Sequence, residues 1–350
     1  MNPVAILGDS HFGIKPKNLD IFIKSQLKFF TDQFVPYLKK YNISTIFFLG
    51  DLFENRSTLN VMVKNAVFHL FNEYLKDFQI YLIVGNHDSY LNNSLDINSL
   101  KFFSKFSNVT VIEKMTLIEM NNRKIVLIPW ITNNAEFISQ FCNNSYDVCL
   151  GHLYIRGFNM GNNIACSDGL PADVFSKCNK VFSGHFHTRD KRNVDNTEIV
   201  YIGAPYQLTR SDIGENKGFT ILDLDTLKYI FVNNNQSIQF KKLEYPNPFN
   251  KEEISGNIID IYIDASKNYN DSDIEIFIHN IEEAEPATPP NIFIVNNHIL
   301  GGEFDINSYN MGSMETLMKD YITTLSIENK DKVYDSLILL YKETKKELKE

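Results

Sequence analysis

Five short stretches of the chain carry residue types that can do chemistry: Asp9-Ser10-His11, Gly50-Asp51, Gly85-Asn86-His87-Asp88, Gly151-His152 and Gly184-His185-Phe186-His187. Together they offer seven oxygen and nitrogen metal ligands and one further histidine. Two divalent ions held roughly 3.5 to 4 Å apart can clamp the attacking and leaving oxygens of a phosphoryl displacement and make hydroxide available near neutral pH. Such a pair needs a carboxylate between the ions and hard or borderline ligands around them. Asp51 is the candidate bridge.

Each stretch follows an apolar run, at residues 4–7, 45–49, 80–84, 148–150 and 180–182. Such runs ending in glycine read as buried strands. Gly8, Gly50, Gly85, Gly151 and Gly184 stand just before the ligands, where a residue without a β-carbon lets the backbone turn and come close to an ion. The five clusters are therefore predicted to converge at strand ends, where loops of a layered sheet gather residues distant in sequence.

Between the strands, residues 19–40 carry Ile21, Ile23, Leu27, Phe29, Phe30, Phe34 and Leu38, and residues 59–78 carry Val63, Val67, Leu70, Phe71, Tyr74 and Leu75. Both sets approach the 3.6 period of an amphipathic helix. Strand–helix–strand alternation predicts an α/β layered fold. Closely spaced strands at 199–202, 219–223 and 229–232 then predict a sheet that finishes without helices. A turn-rich stretch over 233–248 places the main boundary near residue 240.

Beyond it, a strand at 258–263, a helix at 272–283 and a strand at 291–295 form a small α+β unit. The chain divides on this reading into 1–240, a capping unit over 241–310 and a helical segment over 311–350. In that last segment Met314, Leu317, Met318, Tyr321, Ile322 and Leu325 form one apolar stripe, and Val333, Leu337, Leu340, Tyr341 and Leu348 a second. Two amphipathic helices with little core of their own suggest docking onto something else.

With these motifs the chain resembles the calcineurin-like metallophosphoesterases, and within them the SbcD-type recombination and repair nucleases. The stretches Gly50-Asp51-Leu52-Phe53-Glu54-Asn55-Arg56, Ile128-Pro129-Trp130, Tyr201-Ile202-Gly203-Ala204-Pro205 and Glu315-Thr316-Leu317-Met318-Lys319-Asp320-Tyr321-Ile322 extend the likeness to the phage branch, the nuclease subunits of T-even-like phages, across nearly the whole chain. The resemblance implies a two-sheet metallophosphoesterase fold flanked by helices. It gives one metal to Asp9, His11 and His187 and the other to Asn86, His152 and His185, with Asp51 shared.

His87 is left unligated to face the scissile phosphate, a role suited to an imidazole because that ring titrates near neutrality. Asp88 is its catalytic companion, orienting the loop or the imidazole, with Glu54 a weaker candidate for the same task. The resemblance further implies manganese as the metal, with magnesium possible, and double-strand 3′ to 5′ exonuclease and single-strand endonuclease activity in recombination, break repair and replication. It implies a homodimer through helices at 59–78 and 92–106, and a C-terminal segment that grips the coiled-coil root of an SMC-like ATPase. That partner is expected from a separate gene, since this sequence has no G-x-x-x-x-G-K-[ST] phosphate loop.

Charge is unevenly spread. The 350 residues carry a net charge of −9. Residues 1–240 hold 23 Lys and Arg against 22 Asp and Glu, whereas residues 241–350 hold 11 against 21 and no arginine. Phosphate contacts come from Lys and Arg, so DNA is expected mainly on the first 240 residues. Lys15, Lys17, Arg56, Arg156, Arg189, Lys191, Arg192 and Arg210 near the ligand loops are the candidates. The capping unit has few cations to offer (Lys241, Lys242, Lys251 and Lys267).

No apolar run approaches a membrane span, and Cys142, Cys149, Cys166 and Cys178 show no C-x-x-C spacing. Reduced thiols and a cytoplasmic setting are expected, in the host cell if the chain is phage-encoded. Three other readings fit the residues less well. A protein phosphatase of this fold would show Asp-Arg-Gly after its second motif, where this chain has Glu54-Asn55-Arg56-Ser57; a small-molecule phosphodiesterase would have no use for the 110-residue extension. A non-catalytic scaffold for the ATPase would have lost ligands, and all seven are present.

Overall fold

The computed structural model describes residues 2–14, 18–91, 93–295, 322, 330 and 332–338. The first sheet takes β1 (Pro3–Leu7), β2 (Thr45–Phe48), β3 (Gln79–Ile83) and β4 (Val109–Ile112). The second takes β5 (Thr116–Met120), β6 (Arg123–Ile128), β7 (Tyr146–Gly151), β8 (Cys178–Ser183), β9 (Asp190–Val194) and β10 (Thr197–Tyr201). The chain then returns to the first sheet with β11 (Gly218–Asp223) and β12 (Tyr229–Asn233), giving orders β12-β11-β1-β2-β3-β4 and β5-β6-β7-β8-β10-β9. The α/β layered class is observed.

Period-two alternation explains the layers. Val4, Ile6, Phe47, Leu49 and Ile83 from the first sheet share one buried cluster with Leu127, Val148, Leu150, Phe182 and Val200 from the second. The intervening Ala5, Leu7, Ile46, Phe48, Ile80 and Leu82 face a separate cluster with Phe29, Phe30, Phe34, Val63, Val67 and Phe71 from the helices. Strands buried on both faces must read as unbroken apolar runs, which is how they stood out in the sequence.

The predicted helix over 19–40 is present as α1 (Leu19–Lys28), a π-helical segment (Phe29–Phe34) and α2 (Val35–Lys40). That over 59–78 is present as α3 (Val61–His69) continued by a π-helical segment (Leu70–Tyr74). A further helix, α4 (Asn134–Phe141), covers the outer face of the second sheet through Phe137 and Phe141.

Three elements differ from expectation. Over 93–106 there is no α-helix, only a short 3-10 helix at Lys101–Lys105. The side chains of Ser94 and Asn98 accept from the backbone N–H of Asp96 and Leu100, local bonds that compete with helix formation. The polar β9, Asp-Lys-Arg-Asn-Val, is an edge strand, where charge is tolerated and apolar alternation is absent. Inside the expected turn-rich stretch, Phe240–Glu244 forms β13, pairing in parallel with β14 (Ile258–Asp264).

The small third sheet has the order β13-β14-β15, with β15 at Asn291–Val295. Helices α5 (Lys251–Ile254) and α6 (Asp271–Glu282) share a cluster with it through Ile254, Ile259, Ile261 and Ile281. By contacts the chain forms one unit of Met1–Ile263 with Tyr269–Phe293, and a second of Asp264–Asn268 with Ile294–Glu350. In the second, residues 332–338 are helical and Ile322 is buried. The rest of both C-terminal apolar stripes, and Lys15 and Lys17, lie outside the described residues.

Candidate metal centre

The ligand-bearing loops leave the carboxyl ends of parallel strands, so register sets where they start. Leu7 is level with Phe48 and Phe48 with Leu82, while Gly151 is level with Ser183 in the second sheet. The turns that follow are sharp. His11, Asp51 and His185 have φ of 43°, 49° and 83°, a left-handed region that is costly for residues with a β-carbon and tends to occur at functional sites. At Gly50, itself at φ +100°, a Cβ would lie 2.3 Å from His152 Nδ1, and at Gly85 2.1 Å from Asp51 Oδ1. No side chain fits there.

The side chains converge in two groups. In the first, ligand atoms of Asp9, His11 and His187 lie within 4.8 Å of one another, and His11 Nε2 faces His187 Nε2 at 3.0 Å. In the second, Asp51, His152 and His185 are equally close, and the Asn86 amide oxygen sits 2.8 Å from His152 Nε2 and 2.9 Å from His185 Nδ1. Asp51 Oδ2 stands 3.7 Å from His11 Nε2 and 3.4 Å from His152 Nε2. One carboxylate oxygen thus stands between the two groups, as a bridge requires.

These donors fit divalent cations. Asp9 Oδ2 is buried without a hydrogen-bond partner among the described residues, and two imidazole nitrogens face each other across 3.0 Å. Buried lone pairs are normally satisfied, and carboxylate, amide and imidazole donors suit first-row or hard divalent metals. His11, Glu54 and His87 form a third close group, but there the Nδ1 atoms of both rings are already engaged with Glu54.

Electrostatics separates the histidines. Burial disfavours a charged His152, but Asp51 and Asp9 outweigh it and push its pKa up to about 9. Its Nδ1 faces the Leu49 carbonyl at 2.7 Å and its Nε2 the Asn86 oxygen, a pattern a doubly protonated ring satisfies. Burial holds His185 down to about 3, helped by His152, and His187 down to about 3, helped by His11. Burial works against an ionised Asp51 as well, yet His152 and His11 keep its carboxyl well below the usual range. His11 is raised, because Glu54 and Asp51 overcome its burial.

His87 donates its backbone N–H to Asp51 Oδ1 at 2.8 Å, and its Nδ1 meets the Glu54 carbonyl oxygen at 2.7 Å, where it must be the donor. Asp88, grouped with His87 by the sequence reading, is fully buried and bonded to backbone: its oxygens accept from Phe53 N–H at 3.2 Å and Gly85 N–H at 3.0 Å. It ties the Asp51 and Asn86 loops to each other. Burial and nearby Asp51 push it up to about 7. Glu54 contacts both imidazoles, that of His87 through its carbonyl oxygen and that of His11 through Oε2, 2.7 Å from Nδ1.

The basic candidates divide. Arg156 and Lys191 are exposed and Arg56 is half-buried. Arg189 stacks its guanidinium 3.4 Å over the Phe231 ring, and Arg192 pairs with Asp190 at 3.4 Å. Arg210 pairs with Asp260, with Nη2 2.9 Å from Oδ1. Sequence reasoning missed Gln26 and Tyr206, which hold the Ser10 carbonyl by side-chain bonds of 3.0 and 2.7 Å. A polar Gln26 inside the apolar stripe of 19–40 was the available signal.

Fold and site together define a metal-dependent phosphoester hydrolase. The family model described as Calcineurin-like phosphoesterase matches residues 2–189, and the chain belongs to that family. It is similar to Exonuclease subunit 1 of Enterobacteria phage T4, with 28% identity over 338 residues covering 91% of each chain. It is also similar to the D-type subunit of the nuclease SbcCD from Staphylococcus epidermidis (22% identity, 57% of this chain and 60% of that one) and to the Putative phosphoesterase 078R of Invertebrate iridescent virus 3 (30%, 53% of each). No helix of the described residues is long and apolar enough to cross a membrane.

Proposed function

We propose that this chain is a nuclease subunit that hydrolyses DNA phosphodiesters with two divalent ions. The observation that carries the reading is the position of Asp51 Oδ2 between His11 Nε2 and His152 Nε2, at 3.7 and 3.4 Å. Asp9, His11 and His187 would hold one ion and Asn86, His152 and His185 the other, with Asp51 shared. Likeness to an exonuclease subunit over 91% of both chains supports DNA as the substrate.

When bound, the ions supply electrophilic stabilisation of phosphate oxygens and an activated water. The chain's own residues do the rest. Glu54, with Oε2 2.7 Å from His11 Nδ1, favours the His11 tautomer that keeps its proton on Nδ1, as carboxylates commonly do for metal-binding imidazoles. His87, with Nδ1 anchored on the Glu54 carbonyl, keeps Nε2 as its remaining ring nitrogen, able to hold a proton for the leaving oxygen or to stabilise charge on the phosphate. Asp88 keeps the two loops in register from below.

The reading includes manganese as the working metal, double-strand 3′ to 5′ exonuclease and single-strand endonuclease action, and a role in recombination and break repair. Residues 1–240 act as the nuclease domain, 241–310 as the cap and 311–350 as the docking segment for an SMC-like ATPase in the cytoplasm. The names of the relatives, a subunit in two cases, support a partner. Val61, Met62 and Phe68 on α3, with Ile97, are large exposed apolar side chains, which supports a homodimer through that surface. Arg156, Lys191 and Arg56 are the retained DNA-contact candidates.

The test is cleavage of end-labelled duplex and single-stranded DNA by the purified chain with Mn2+, beside a generic phosphomonoester and the Asp51→Asn variant. DNA cutting lost in the variant is expected. Monoester turnover with intact DNA would overturn the nuclease reading in favour of a small-molecule or protein phosphatase.

A further inference from the structure

Three charged side chains outside the metal centre are nearly inaccessible: Lys217, Asp212 and Asp260, at 5%, 3% and 0% exposure. Lys217 Nζ donates to the His187 carbonyl at 2.7 Å and sits 2.6 Å from Asp212 Oδ1 and 2.7 Å from Glu215 Oε2. The other Glu215 oxygen accepts from Thr188 Oγ1 at 2.8 Å. Residues 187 and 188 are thereby pinned to the 212–217 segment. Asp212 Oδ2 closes its own turn by accepting from the backbone N–H of Leu208 and Thr209, both at 2.8 Å.

The same turn reaches the other way. Arg210 grips Asp260 of β14 with Nε and Nη2, one to each oxygen, and Asn291 Nδ2 adds 2.8 Å to Oδ1. Buried ion pairs seldom add net stability, and geometric specificity is the use they can serve. His152 and His185 are held differently: the His152 ring faces the Leu49 carbonyl and its backbone N–H donates to the Ile128 carbonyl, while the His185 ring meets Asn86 and its backbone N–H donates to Asp9 Oδ1 at 2.8 Å.

We propose that Lys217 is a positioning residue for His187, and that Asp260–Arg210–Asp212–Lys217 makes this one end of the metal centre respond to the seating of β14. The proposal rests on the metal reading above. A row of contacts becomes coupling only when changing one end moves the other, and that is what the test asks.

Mn2+ titration of the metal-free protein by calorimetry, with histidine ring NMR before metal is added, compares the wild type with Asp260→Asn, Lys217→Met and the double variant. The expected result is a loss of about tenfold in affinity at one of two sites, the size typical of an outer partner of a ligand. The double variant should be no weaker than Lys217→Met, since both act along one path. In the metal-free Asp260→Asn protein the His187 ring signals shift while those of His152 and His185 stay. Wild-type binding in both variants, equal loss at both sites, or unmoved His187 signals would overturn it. If Lys217→Met does not fold, Asp260→Asn and Arg210→Gln decide the matter alone. Absence of Mn2+ binding by the wild type would sink the metal reading, while the metal-free His187 signals still decide the coupling.

Discussion

The two halves of the metal centre are built differently. His152 directly follows β7, and its ring is held by the Leu49 carbonyl, part of the sheet-end backbone itself. Asp9, His11 and His187 depend on side chains brought from elsewhere: Glu54 on His11, Gln26 and Tyr206 behind the 8–11 loop, and Lys217 on His187. Backbone bonds reach the second half too, from His11 N–H to the Asp51 carbonyl and from Ala204 N–H to the His187 carbonyl, but there a buried polar side-chain network is added to them.

The largest effect should come from the residue that belongs to both halves. Asp51→Asn is expected to abolish Mn2+ binding and DNA cleavage together, beyond the 10–100-fold typical of outer partners; retention of both ions in calorimetry would break the picture of a shared bridge. His87→Ala should remove most cleavage, on the order of a hundredfold, with metal stoichiometry intact. Loss of an ion in that variant would mean that His87 is a ligand.

Glu54→Gln sharpens the contrast between halves. It should weaken binding at the Asp9–His11–His187 end by about tenfold and leave the other end unchanged. Equal weakening at both would show that the halves are not independent. Protons give a further handle. With its pKa pushed up to about 9, His152 is charged at pH 8 in the metal-free protein, and its Nε2 proton must leave before a cation binds.

Apparent affinity at that end should therefore rise with pH toward 9. His185 and His187, held at about 3, add no slope above that. Mn2+ titrations in buffers of different ionisation heat count the protons, and none released between pH 7 and 9 would contradict the assignment. The sign for stability follows from the same value. A raised histidine stabilises the metal-free fold below its ordinary pKa of 6.5 and loses that contribution as pH climbs through about 9.

The smallest effect belongs to a pair remote from both halves. Lys180 and Glu198 face each other on β8 and β10, and Glu198→Gln should cost no more than about 1 kcal/mol in urea unfolding with Mn2+ binding unchanged. Lys180 and Tyr229 hold the Glu198 carboxyl below its usual range despite partial burial. What the pair does contribute is present above the ordinary glutamate pKa and lost on acidification. A change in metal affinity would extend the network into the strand bodies.

Much of this protein was decided by local sequence. Strands buried on both faces must be continuously apolar, so β1, β2, β3, β7 and β8 were legible, and a glycine followed by Asp, Asn or His at each end marked the candidate ligands that the fold brings together. The helix expected at 92–106 is absent over the described 93–106 because Ser94 and Asn98 bond their own backbone, and β9 was invisible because an edge strand need not be apolar. Arg210 read as a candidate DNA contact, and nothing in the local pattern singled out Lys217 or Asp212. Only the tertiary structure decided that Lys217 is partnered by the His187 carbonyl and Arg210 by Asp260, because burial and pairing depend on segments 30 and 50 residues away, which no local pattern encodes.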